Sequence, residues 1–123
     1  MKPAKLYVVV AGCLDPGLQI TQAMHAARQF AEEYSALERA WFTESNTLAV
    51  LSVPDGDALS ALCVAARDAG IAHSIFHEPD IGDLAPGYDR SCTALALEPS
   101  NASRRLCRSL PRALKEANAV RAA

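Results

Sequence analysis

The sequence predicts an α/β fold: a three-layer sandwich with a small four-stranded mixed sheet and helices on both faces. Short β-branched apolar runs alternate with segments whose apolar residues recur every three or four positions. The segments follow one another as strand, helix, strand, helix, strand, strand, helix, so helical crossovers join the first strands and the last pair lacks one. Half of the 123 residues are hydrophobic, enough for one core without disulfide or metal staples.

Residues 5–12 (KLYVVVAG) read as a buried central strand, because the run does not alternate with polar positions. Asp15 caps the helix that follows, with Pro16 in its first turn where a missing N–H costs nothing. Ile20, Ala23, Met24, Ala27, Phe30, Ala31 and Tyr34 recur at helical spacing and predict the face turned to the sheet. Residues 47–53 (TLAVLSV) read as the second buried strand. Pro54, Asp55, Gly56 and Asp57 open a second helix, with Leu59, Leu62, Cys63 and Ala66 inward and Gly70 as its stop. Residues 71–77 and 91–97 read as the third and fourth strands, and the Pro-, Gly- and Asp-rich stretch EPDIGDLAPGYDR between them as an exposed loop. A helical tail follows Pro99 and breaks at Pro111.

Charge divides the chain into a body, residues 1–99, and a basic helical tail, residues 100–123. The body holds 6 Lys/Arg against 13 Asp/Glu. The tail sets Arg104, Arg105, Arg108, Arg112, Lys115 and Arg121 against Glu116 alone. Such a tail is either a phosphate-binding arm or a solvated helix complementing its own acidic body. No run approaches the roughly 18 apolar residues of a membrane span, and the N-terminus does not read as a signal peptide. Cys13, Cys63, Cys92 and Cys107 are widely separated and form no Cys-x-x-Cys pair. That spacing suits reduced thiols in a cytoplasmic protein better than disulfides or a zinc site.

Leu18, Gln22, His25 and Gln29 fall on one side of the first helix, opposite its apolar stripe, with Thr21 and Arg28 one turn from His25. A polar set near a helix N-terminus, at the carboxyl edge of the sheet, is placed to receive an anionic or ester-bearing ligand. On spacing alone, a lone helical histidine such as His25 is more often a polar residue on a solvated face. His73 and His77 share a strand face without a convergent third ligand, so no metal is expected. Cys13, just before a helix, reads as a half-buried loop thiol more readily than as a nucleophile.

The stretch GLQITQAMHAA, residues 17–27, resembles the first-helix signature of type II peptidyl-tRNA hydrolases, Gly-Lys-x-x-x-Gln-x-x-His-Ala. Trp41 falls where that family commonly has a tryptophan. Residues 70–78 (GIAHSIFHE) resemble its third strand, residues 84–87 (LAPG) its Ile-Ala-Pro-Gly turn, and residues 93–99 (TALALEP) its final strand. The resemblance covers about residues 5–99. It implies cleavage of the ester between a peptidyl or aminoacyl group and the tRNA 3′ ribose, with no metal or cofactor, in a cytoplasmic homodimer whose partner is tRNA. Gln22, His25 and Thr93 match the family's active-site pattern, and Glu78 stands where it has Asp. By this carry-over His25 is the base, Glu78 or Asp80 its orienter, and Gln22 and Thr93 the oxyanion or substrate contacts.

Three departures stand out. Leu18 replaces the family lysine, Gly82 replaces a threonine in the loop after the acid, and the segment from residue 86 to 99 is three residues longer. Arg28 and Arg90 are the candidates for the missing cation. The alternative reading is a non-catalytic relative that keeps the pocket for a small ligand, a nucleic-acid end or a protein partner.

Overall fold

The computed structural model describes residues 4–115. Its sheet is built around β1 (Lys5–Ala11), whose residues from Leu6 onward are all buried. The strand order is β2-β1-β4-β3. β2 (Thr47–Val53) runs parallel to β1, β4 (Cys92–Leu97) pairs antiparallel with β1, and β3 (His73–His77) pairs antiparallel with β4. Three strands therefore share one direction and β4 opposes them, the mixed sheet the sequence predicts.

Alternation divides the core in two. Leu6, Val8, Val10, Ala94 and Ala96 face α1 (Pro16–Glu33) and α2 (Ser35–Glu44), meeting Ala23, Ala26, Phe30 and Trp41. Tyr7, Val9, Leu95 and Leu97 face α3 (Gly56–Asp68) and α5 (Asn101–Leu106), meeting Leu59, Ala66 and Cys107. β1 and β4 are thus covered on both sides, which is why their sequences are continuously apolar. Asp15 caps α1 by accepting the Leu18 N–H at 3.0 Å, and Asp55 caps α3 through the Ala58 N–H at 2.9 Å.

Two elements are additional to those the sequence predicts. α2 starts where α1 ends at Tyr34, and its buried Trp41 donates its indole N–H to the Thr47 carbonyl at 2.7 Å, fixing the entry into β2. α4 (Ile81–Leu84) is a single turn inside the expected loop. β3 begins two residues later than expected because the Ala72 N–H is held at 2.7 Å by the Glu98 carboxylate, outside the ladder.

The inward face of α1 corrects the sequence expectation. Ile20 and Met24 are 54% and 68% exposed, whereas Gln19, Gln22, Ala23, Ala26 and Phe30 are buried. Gln22 can lie inside because both ends of its amide find partners there, and Gln19 because its amide N–H groups do, although among the described residues Gln19 Oε1 is buried without one. The Gln19 amide donates to the carbonyls of Leu14 at 2.6 Å and Gly12 at 3.2 Å, which turns Ile20 and Met24 onto the flank.

The tail is bound to the body. Ser103 and Cys107 are buried, and the chain then crosses the outer edge of β2. There the Ser52 N–H donates to the Pro111 carbonyl and the Ala113 N–H to the Val50 carbonyl, both at 2.9 Å, so an otherwise open sheet edge is closed. Glu116 and Arg121 lie outside the described residues. Among the described residues no helix is long and apolar enough to cross a membrane.

The buried stripe of α1 can be checked directly. Phe30→Ala is expected to lower unfolding stability by about 3–5 kcal/mol in urea titrations. Met24→Ala is expected to change it by no more than about 0.5 kcal/mol.

Candidate functional site

A chain of three buried polar side chains runs from the sheet to its carboxyl edge. Thr93, on β4, donates its hydroxyl to Gln22 Oε1 at 2.5 Å. Gln22, on α1, donates its amide N–H to Glu78 Oε1 at 3.1 Å. The carboxylate sets the direction of this relay, since an ionised Glu78 can only accept and the Gln22 carbonyl is left to take the Thr93 proton. Thr93 and Gln22 are fully buried and Glu78 is 8% exposed.

Local structure delivers Glu78 to this point. The β3–β4 register shifts between Phe76 and His77, and such a bulge re-aims the strand end. The Glu78 N–H is then pinned to the Ser91 carbonyl at 2.9 Å, while Glu78 Oε2 accepts the Asp80 N–H at 3.2 Å. The Gln22 amide foremost, then the Asp80 N–H and the nearby His25, hold the Glu78 carboxyl below its ordinary value despite the opposing effect of burial.

His25 lies at the rim of this chain and is exposed. Its imidazole stacks on Phe76, with ring centroids 4.5 Å apart and planes 11° from parallel. Among the described residues no hydrogen bond holds the ring. Sequence reasoning passed over Phe76. Its one signal is strand parity, which sends it to the same sheet face as Ala94 and α1.

The structure thus brings together His25, Gln22, Glu78 and Thr93. One expectation is corrected: Gln22 is not on the solvent side of α1 but at the centre of its buried face, because Glu78 and Thr93 satisfy both ends of its amide. Gln22 and Thr93 are therefore turned inward, toward each other, in this conformation. The remaining predicted residues lie apart. Leu18 is half-buried in the first turn of α1. Arg28 is exposed and pairs with Glu32 at 3.0 Å. Asp80 is exposed and meets Glu78 through its backbone N–H, and Gly82 is exposed in α4 with open space where a Cβ would stand.

Arg90 belongs to the lengthened loop, which is tied to α3. The Asp89 carboxylate accepts the Gly56 and Asp57 N–H groups at 3.0 and 2.8 Å, an anion on a helix N-terminus, and Arg90 Nε pairs with Asp57 at 2.7 Å. The approach is so close that a Cβ on Gly56 would stand 2.7 Å from Asp89 Oδ1. Both candidate replacements for the family lysine are therefore committed to carboxylates.

Elsewhere, His73 Nδ1 meets the Ile71 carbonyl and His77 Nδ1 the Ser91 hydroxyl, each at 2.8 Å. Among the described residues no three His, Cys, Asp or Glu side chains converge as a metal site. Desolvation first, then the charge of Asp89, pushes the Cys13 thiol up, which works against a nucleophilic role.

Fold and cluster together define a small α/β protein with an inward polar relay that ends beneath one exposed histidine at the sheet edge. The chain matches the family described as peptidyl-tRNA hydrolase PTH2 over residues 4–115, and it belongs to that family. Among solved structures it is similar to a protein of unknown function from Agrobacterium tumefaciens str. C58. The two are 11% identical, with a TM-score of 0.64 over 91% of this chain and 98% of that one. That likeness shows the fold. No curated protein matches the chain.

Because the folded-state pKa of Glu78 is depressed, its contribution to stability is complete above the ordinary carboxyl value of 4.5 and is lost as pH falls through the lower folded-state value. Glu78→Gln is expected to flatten the decline of stability below pH 4.5 in acid denaturation curves, while Gln22→Leu, which strands two buried partners, is expected to cost about 1–3 kcal/mol at neutral pH.

Proposed function

We propose that the protein hydrolyses the ester joining a peptidyl or aminoacyl group to the tRNA 3′ end. Membership of the peptidyl-tRNA hydrolase family supports the reaction class. The observation that carries the reading for this chain is the Thr93–Gln22–Glu78 relay ending beside His25. A water at the rim gives its proton to the His25 imidazole as its oxygen attacks the ester carbonyl. The tetrahedral intermediate then collapses, and the departing ribose oxygen takes the proton back from the imidazolium. Glu78, ionised and held by Gln22 and the Asp80 N–H, stabilises the transient imidazolium through its field. Gln22 and Thr93 are placed in this scheme as supports of Glu78, since both are inward and bonded to one another. The reaction needs no cofactor in this scheme and takes place in the cytoplasm.

A tRNA substrate needs cationic contacts, and Leu18 supplies none. Arg104, Arg105, Arg108, Arg112 and Lys115 are exposed, and among the described residues none has a salt-bridge partner. That absence favours a phosphate-contacting tail over one that neutralises its own body. The family resemblance also implies a homodimer, and the exposed Ile20 and Met24 give it an apolar surface to cover; sedimentation of the intact chain reads this directly.

The second reading, a binding protein that keeps the pocket without catalysis, is favoured by the commitment of Arg28 and Arg90 to Glu32 and Asp57. Peptide release from a model peptidyl-tRNA separates the two. His25→Ala is expected to reduce the rate by about 10²–10⁴-fold. No release by the parent above the uncatalysed rate, with binding intact, selects the binding protein, whereas wild-type release by the variant removes His25 from the chemistry. Replacing Arg104, Arg105 and Arg108 together by Gln is expected to lower the slope of log affinity against log salt by roughly 0.7–0.9 per lost phosphate contact.

A further inference from the structure

We infer that Phe76 is the positioning residue for His25, holding by ring stacking an imidazole that no hydrogen bond fixes. The inference rests on the catalytic reading of His25 given above. A general base has to present one ring nitrogen in a narrow range of directions, and a histidine base is ordinarily oriented by a carboxylate or carbonyl on its second nitrogen. Here the expected orienter is already engaged. Glu78 Oε1 accepts from Gln22 and Oε2 from the Asp80 backbone, so its carboxylate faces inward along the relay and acts on His25 through its charge. Asp80, the other candidate, is exposed and meets the relay only through its backbone N–H.

What touches the imidazole is Phe76. The rings lie 4.5 Å apart and 11° from parallel, a face-to-face contact covering one side of the imidazole and leaving its edge open to solvent. Such a contact fixes the ring plane while leaving both nitrogens free for water and substrate. An imidazolium formed during turnover also stays over an aromatic face, where the ring quadrupole favours positive charge. Phe76 is in turn rigidly mounted. It is half-buried against the α1 side of the core, on a strand residue paired in register with Ala94, immediately before the bulge that delivers Glu78. One short segment of β3 therefore supplies both the stack and the field, with the stack in the place of the missing orienting hydrogen bond.

The experiment compares Phe76→Leu, which keeps apolar bulk but removes the π face, with Phe76→Tyr, which restores it. The chain has 3 histidines, so the ring protons of His25 can be assigned by NMR with a His25→Ala control. In Phe76→Leu the His25 ring protons are expected to lose their ring-current shift. The kcat for peptidyl-tRNA is expected to fall at least about tenfold with KM unchanged, and Phe76→Tyr to restore both. The inference is overturned if the His25 signals of Phe76→Leu stay where they were. It is equally overturned if kcat is retained, or if activity is lost together with the fold and Tyr does not bring it back. Should His25→Ala itself keep full activity, the catalytic reading fails, and the NMR comparison still decides whether Phe76 holds the ring.

Discussion

The two-ended hydrogen bonding of the Gln22 amide is the constraint around which the site and much of the fold are arranged. Burying a primary amide costs least when donor and acceptor are both satisfied. Gln22 meets that demand with an acceptor from the end of β3 and a donor from β4, two chain segments brought together by the β3–β4 pairing. Satisfying it sets the rotation of α1 about its axis, and with it the positions of Phe30 in the core, Ile20 and Met24 on the flank and His25 at the rim. It also holds Glu78 ionised in a place where burial alone would favour its neutral form.

Charge is distributed unevenly around this centre. The relay carries the charge of Glu78, on which the nearby His25 acts. Where the family resemblance leads one to expect a lysine on α1 the chain has Leu18, and the two arginines considered in its place pair with surface carboxylates, Arg28 with Glu32 and Arg90 with Asp57. Among the described residues, five exposed cations without a salt-bridge partner, Arg104, Arg105, Arg108, Arg112 and Lys115, lie on the segment that runs on to the β2 edge. On the proposed function, a phosphate backbone held there and an ester presented at the α1 rim would engage different parts of the fold. Long-range attraction of that kind is screened by salt, whereas the buried relay is not.

The loop before β4 is held from both sides without entering the site. Asp89 places a carboxylate on the first N–H groups of α3, and Gly56 leaves the room that this approach needs. Tyr88 ties back to the Cys92 carbonyl, so the loop is anchored at both ends of its turn just before Thr93 enters β4.

The sequence by itself determined the sheet, the crossover helices and the caps. Continuous apolar runs such as VVV at residues 8–10 leave a strand no exposed face, and Asp15 and Asp55 act on N–H groups three residues away. These are short-range choices, legible from neighbours along the chain. The motif resemblance likewise pointed to His25, Gln22, Glu78 and Thr93 as one group. Only the tertiary structure decided which way each of them turns. Helical spacing cannot tell a stripe centred on Ile20 and Met24 from one centred on Gln22 and Ala26, because the choice depends on partners 56 and 71 residues distant. For the same reason Arg28 and Arg90 read as free cations in the sequence and are paired in the fold. The stack of Phe76 on His25 left no mark in the motif, since it requires β3 and α1 to meet at one height above the sheet. Local pattern sets which elements form, and the satisfaction of buried polar groups across the chain sets what those elements present.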